Sequence, residues 1–145
     1  VKNVIVDLDG TLANRDHRLH HVTGSKKDFK AFMAACGDDT PVEPIKYLVM
    51  RLLGEEHRIV VVTGRSMAVL GTTLDWLLDH DIDVDVILMR REGDNRPDHV
   101  VKKEMAEEAE LTPENTVVVF DDRDSVVKMW RDAGFHVHQV AEGNF

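Results

Sequence analysis

Asp7 and Asp9 stand two residues apart at the end of the apolar run Val1-Lys2-Asn3-Val4-Ile5-Val6, directly before Gly10-Thr11. Alternate residues of an extended chain point the same way, and the glycine opens a turn that can rotate the second acid away from the first. Two carboxylates so placed suit attack on an electrophilic phosphorus by one and proton handling by the other, beside a bound cation. Asp7 is the candidate nucleophile, forming an acyl-phosphate that water later hydrolyses. Asp9 would protonate the leaving oxygen and then take a proton from that water, while its backbone carbonyl faces the cation. Asp121-Asp122, after another apolar strand, would complete the site with one direct metal ligand and one supporting partner. Hard oxygen ligands of this kind suit Mg²⁺.

Two further groups of residues fit the same chemistry. Thr63-Gly64-Arg65 follows an apolar strand, and a hydroxyl with adjacent N–H groups at a helix start can hold phosphate oxygens. Lys102 and Lys103 follow a polar loop. One ammonium aimed inward would offset the charge of phosphate and several aspartates, and helical geometry allows only one of the two to point that way. Asp98, four residues earlier, shares a face with Lys102 and could orient it. The histidines at 17, 20 and 21 lack a metal-ligand pattern, and there is no Gly-x-x-x-x-Gly-Lys-Ser/Thr string for a P-loop kinase.

The elements that must position these residues alternate. Apolar, largely β-branched strands are expected at Lys2–Asp7, Arg58–Thr63, Val84–Met89 and Thr116–Phe120, with a fainter one at His136–Val140. Helical apolar faces are expected from Ile45, Leu48, Val49, Leu52 and Leu53, from Met67, Leu70, Leu74, Leu77 and Leu78, and from Val100, Val101, Met105 and Ala109. A fourth comes from Val126, Val127, Trp130 and Ala133, ending at a Gly134 cap. Strand and helix in alternation predict an α/β fold, a Rossmann-like parallel sheet sandwiched by helices, with ligands bound beyond the carboxyl ends of the strands. Asp7, Thr63 and Asp121 all fall at such ends. The segment 13–40 is too long for a tight βα loop and reads as a small flap or cap insertion, with Ser25 and Asp28 capping a short helix that bears Phe29, Phe32 and Met33.

Length and charge bound the alternatives. At 145 residues with 43% apolar content the chain reads as one domain, 1–145. A formal charge of −9 disfavours a broad grip on duplex DNA but leaves room for one phosphorylated nucleic-acid end in a small basic cleft. One cysteine, no long apolar run and no leader-like segment predict a reducing, cytoplasmic setting with no membrane span.

Asp7-Leu8-Asp9-Gly10-Thr11, Thr63, Lys102 and Asp121-Asp122, in that order, resemble the motifs of the haloacid dehalogenase-like phosphohydrolase superfamily. The resemblance implies an aspartyl-phosphate intermediate and Mg²⁺, with Asp7 as nucleophile and metal ligand, Asp9 as acid/base and carbonyl ligand, Thr63 as phosphate binder, Lys102 as charge stabiliser and Asp121-Asp122 in the metal site. The stretches 86–104 and 119–135 and the ending Gln139–Phe145 are similar to the 3′-phosphatase domains of bacteriophage polynucleotide kinase/phosphatases. That likeness implies removal of a terminal 3′-phosphate from DNA or RNA, as in nucleic-acid repair, and would add Arg18, Arg65, Arg96 and Asp98 to the substrate-binding network. It further implies a kinase domain or separate kinase partner and, for a phage-encoded protein, the host cytoplasm. The same core motifs would serve a phosphatase of nucleotides or other small phosphomonoesters. A phospho-accepting signalling domain is the alternative of another class.

Overall fold

The computed structural model describes the backbone of residues 1–145 and every side chain but that of Leu52, which lies outside the described residues. Five strands form one parallel sheet: β1 (Asn3–Val6), β4 (Arg58–Ser66), β5 (Val86–Arg90), β6 (Thr116–Asp121) and β7 (Val137–Gln139), in the order β5-β4-β1-β6-β7. β1 is central, pairing Val4 with Ile59 on one side and Val118 on the other. Helices α3 (Glu43–Tyr47) and α4 (Leu70–Asp79) cover one face, while α5 (Asp98–Glu108) and α6 (Asp124–Asp132) cover the other.

Successive residues of each strand feed opposite cores, as the pleat requires. Val4, Val6, Ile59, Val61, Val118 and Phe120 pack with Val49, Trp76 and Leu77. Ile5, Val60, Val62 and Val119 pack with Ala106, Val126, Val127 and Trp130. This two-sided burial explains why the strands read as continuous apolar runs. α3 passes directly into a π-helical stretch, Leu48–Leu53. Gly134 adopts φ +94° just past the end of α6, the left-handed conformation that glycine takes without a Cβ penalty. None of the described helices is long and apolar enough to cross a membrane.

Three helical details differ from the sequence-based expectation. α4 buries Thr73, Trp76 and Leu77, leaving Met67, Leu74 and Leu78 exposed. The indole of Trp76 fixes that rotation, because its Nε1 donates to the Asp39 carbonyl at 2.7 Å. α5 turns Val101, Lys102 and Ala106 inward, with Val100 and Ala109 outside, because Lys102 has charged partners to reach. Ala133 is likewise exposed beyond α6.

The excursion 13–40 is closed at its base by β2 (Ala13–Asn14) pairing antiparallel with β3 (Thr40–Pro41). Between them lie a 3₁₀ turn at Asp16–Arg18, the short helices α1 (His20–Thr23) and α2 (Phe29–Ala34), and a second 3₁₀ turn at Cys36–Asp38. Asp28 alone caps α2, accepting from Ala31 N at 3.0 Å.

The rotation of α4 is testable by paired substitution. Leu77→Ala empties a core position and is expected to cost about 2–5 kcal/mol. Leu78→Gln, at a side chain 77% exposed, should stay within about 0.5 kcal/mol of the parent in urea unfolding.

Candidate active site

The carboxyl ends of β1, β4 and β6 meet at one edge of the sheet. Asp7 follows β1 directly, and its backbone N donates to Phe120 O at 3.0 Å, extending the β1–β6 pairing by one residue. Asp121 ends β6, with Asp122 next. Oxygens of Asp7, Asp121 and Asp122 lie within 4.8 Å of one another, and all three residues are buried.

Lys102 arrives from α5 and holds this cluster together. Its Nζ donates to Asp7 Oδ1 at 2.9 Å and Asp121 Oδ2 at 2.8 Å, with the side chain 2% exposed. Burial opposes the ammonium charge, but Asp121, Asp7 and Asp98 outweigh it and raise the lysine pKa. Asp7 is pushed well above the ordinary carboxylate range by burial and by the Asp121 charge, against the pull of Lys102. Burial and Asp121 also raise Asp122, while Arg15 at 3.7 Å draws it back. One ammonium among three crowded carboxylates leaves negative charge uncompensated, and this all-oxygen donor set can bind a hard cation.

The oxygens of the cluster differ in how far they are engaged. Asp121 uses one on Lys102 and the other on the N–H of Asp122 at 2.9 Å. Asp7 Oδ2 accepts from Thr11 Oγ1 at 3.2 Å. Gly10, at φ +82°, lies flat against this corner: a Cβ there would stand 2.1 Å from Asp122 Oδ2 and 2.3 Å from Arg15 Nη1. Gly143 is packed as tightly behind Asp122, where a Cβ would fall 1.8 Å from its carbonyl oxygen.

Asp9 turns away from the cluster into a different network. Its Oδ1 accepts from Arg18 Nη2 at 2.6 Å and from Arg65 Nε and Nη2 at 3.0 and 2.7 Å. Burial tends to raise its pKa, but the charges and hydrogen bonds of Arg65 and Arg18 prevail and lower it. Both guanidiniums are fully buried and are themselves gripped by Asp39. Asp39 accepts from Arg18 Nε at 2.8 Å, Arg18 Nη2 at 2.7 Å and Arg65 Nη2 at 3.0 Å. His17 Nε2 lies 2.7 Å from the same carboxylate, and Arg18 stacks over Phe32 with its Cζ 4.3 Å from the ring centroid. The excursion thus contributes Arg18 and Asp39 to the surroundings of Asp9.

Thr63 is buried, and its Oγ1 accepts from Arg65 N at 3.1 Å. No helix starts at Gly64, contrary to the sequence-based expectation. β4 runs on to Ser66 through a bulge, since Thr63 pairs with Met89 and Ser66 with Arg90. Ser66 then caps a 3₁₀ turn through Ala68 N. The expected contact of Asp98 with Lys102 is absent: Asp98 bonds Arg90 Nη2 and, at 2.8 Å, Arg123 Nη1. Its carboxylate lies so close to Gly64 that a Cβ there would meet Asp98 Oδ1 at 2.6 Å. Arg96 is exposed and directs its guanidinium to Asp94 and Glu104. Asp39, Arg15, Arg90 and Trp76 carried no motif in the sequence; Asp39 sat in a Gly-Asp-Asp-Thr-Pro stretch that reads as a turn.

A parallel sheet of this order, sandwiched by helices, is the Rossmann-like fold of haloacid dehalogenase-like hydrolases. A haloacid dehalogenase-like hydrolase from Streptococcus pneumoniae shares the fold at a TM-score of 0.65 and 14% identity, covering 94% of this chain and 83% of that one. The chain belongs to the family described as the polynucleotide kinase PNKP phosphatase domain, whose model matches residues 1–145. A chain of a Pnkp1/Rnl/Hen1 RNA repair complex is similar at 29% identity and a TM-score of 0.84, over 100% of this chain and 44% of that one. A protein of Autographa californica nuclear polyhedrosis virus, described as a bifunctional polynucleotide kinase/RNA ligase, is 29% identical over 130 residues, which cover 89% of this chain and 18% of the viral one. The chain therefore spans less than half the length of these two relatives.

Two measurements check the electrostatics. Asp39→Ala leaves two buried guanidiniums short of a partner and is expected to cost about 3–5 kcal/mol in denaturant unfolding. Hydrogen bonds from Arg96 to the Asp94 carboxylate stabilise its charged form and lower its pKa to about 2. An NMR titration should find that value and see it return toward 3.8 in Arg96→Ala.

Proposed function

We propose that the chain is a Mg²⁺-dependent polynucleotide 3′-phosphatase, with 1–145 as its phosphatase domain and 13–40 as a cap. The observation that carries this reading is the buried Lys102 bridge between Asp7 and Asp121, beside Asp122, in a chain of this family. Asp7, Asp122 and the Asp9 carbonyl, supported by Asp121, would hold Mg²⁺, which would offset the negative charge of the phosphate.

Asp7 attacks phosphorus with a carboxylate oxygen, and the bond from phosphorus to the 3′ oxygen breaks as Asp9 delivers a proton to that oxygen. Water then attacks the acyl-phosphate, Asp9 takes its proton, and Asp7 is regenerated as phosphate leaves. Gripped by two guanidiniums, Asp9 is held as the carboxylate, the form that accepts a proton from water. An arriving phosphate that draws on Arg18 and Arg65 loosens that grip and favours the protonated form needed in the first half. Lys102 keeps Asp7 in place and offsets charge as phosphorus is attacked. Thr63, with the Gly64 and Arg65 N–H groups, binds phosphate oxygens, while Arg96 and Asp98 act at the rim on the substrate side. The names of both longer relatives point to polynucleotide end repair, which makes a kinase domain or partner kinase and a cytoplasmic setting part of the reading.

Phosphate release with added Mg²⁺ from a 3′-phosphorylated oligonucleotide, its 5′-phosphorylated form and free nucleoside monophosphates tests the assignment. Strong preference for the 3′ end is expected, with Asp7→Asn and Asp9→Asn each nearly abolishing turnover in folded protein and chelation doing the same. Preference for free nucleotides would move the activity to small phosphomonoesters, and near-parental turnover by Asp7→Asn would refute the mechanism.

A further inference from the structure

Phe145 is 54% exposed, while Gly143, two residues before it, is buried against the site. Gly143 lies against the Asp122 carbonyl, and its own carbonyl accepts from Asp124 N at 2.8 Å. The aromatic ring of Phe145 is flanked by two guanidiniums, with Arg15 Cζ 4.7 Å and Arg123 Cζ 4.8 Å from its centroid. Each of these arginines also reaches a carboxylate at the site: Arg15 approaches Asp122 at 3.7 Å, and Arg123 bonds Asp98 at 2.8 Å. Arg123 keeps a buried Nε with no hydrogen-bond partner. The ring, in the tail beyond β7, therefore sits one guanidinium away from the aspartate cluster, against arginines that follow β2 and β6.

An exposed aromatic ring packed against two arginines beside the aspartate cluster offers its open surface to a flat heteroaromatic group. We propose that Phe145, with Arg15 and Arg123, forms a stacking shelf for the nucleobase of the nucleotide whose phosphate enters the aspartate cluster. This deepens the 3′-phosphatase reading and rests on it. Every nucleobase has a π-face, so such a shelf recognises the presence of a base with little regard to sequence. The arginines hold the ring in place through cation–π contacts and give an acidic protein local positive charge where the polyanion arrives.

The test compares two 3′-phosphorylated oligonucleotides that differ only in the last nucleotide, thymidine in one and a base-free tetrahydrofuran residue in the other. The parent protein is expected to favour the base-bearing end in kcat/KM by about five- to a hundred-fold, chiefly through KM. Phe145→Ala should collapse that ratio toward one, and Phe145→Trp should preserve it. A parent ratio of one, or an unchanged ratio in Phe145→Ala, overturns the shelf while leaving the phosphatase reading intact. Where Phe145→Ala fails to fold, Phe145→Leu, which keeps the bulk without the π-face, should collapse the ratio in the same way, and an unchanged ratio there overturns the shelf. Release from neither end by the parent protein overturns the phosphatase reading and the shelf together.

Discussion

A single ammonium buried among strand-end carboxylates is the constraint on which the site depends. Placing Lys102 in the interior costs several kcal/mol of hydration. It stays charged there because Asp7 and Asp121 each accept a hydrogen bond from it. The same bridge ties β1 to β6 through side chains and docks α5 on the sheet at a fixed rotation. Removing Lys102 would strand both acids as unpaired buried charges, so the site and the local packing cannot be varied independently.

A second network, of opposite composition, lies beside the first. Around Lys102 one cation serves several acids. Around Asp39 and Asp9 two acids share two buried guanidiniums. The first arrangement leaves room for additional positive charge and the second is locally neutral, which separates a cation-seeking pocket from an anchored acid two residues away. Asp39 achieves this from the excursion, whose base is sealed by the β2–β3 pair and whose inner edge is fastened by the Trp76 indole. The excursion is therefore part of what orients Asp9.

Much of this was legible in the sequence, for identifiable reasons. Buried parallel strands must be apolar throughout, so the inner strands of the sheet were plain, and polar residues at the carboxyl ends stood out by contrast. The edge strand β7, with exposed His138 and Gln139, was faint. Helix faces were harder. α5 has few apolar residues, and its most deeply buried large side chain is a lysine, which pattern reading assigns to solvent; only the motif order singled out Lys102. On α4 the leucines outnumber the residues that face inward, and a hydrogen bond made by Trp76 to a distant carbonyl decides the rotation. Asp39 had no periodicity or motif to mark it, because its importance comes from contacts with Arg18 and Arg65 that only the folded chain creates. The bulge at Thr63–Ser66 was hidden for a similar reason: Arg90, from a neighbouring strand, satisfies the Gly64 carbonyl there.

The central place of β1 has a consequence for how the molecule comes into being. β1 is flanked by strands that begin at residues 58 and 116. Both loops are long, so closing them is entropically costly and the sheet is intrinsically slow to nucleate around its middle. During synthesis Val4–Val6 must wait, apolar on both faces, until β4 and β6 have formed beside them. The wait also acts as a form of proofreading. Asp121 cannot join Asp7 and Lys102 until β6 has docked, so the aspartate–lysine cluster is complete only once that edge of the sheet has formed.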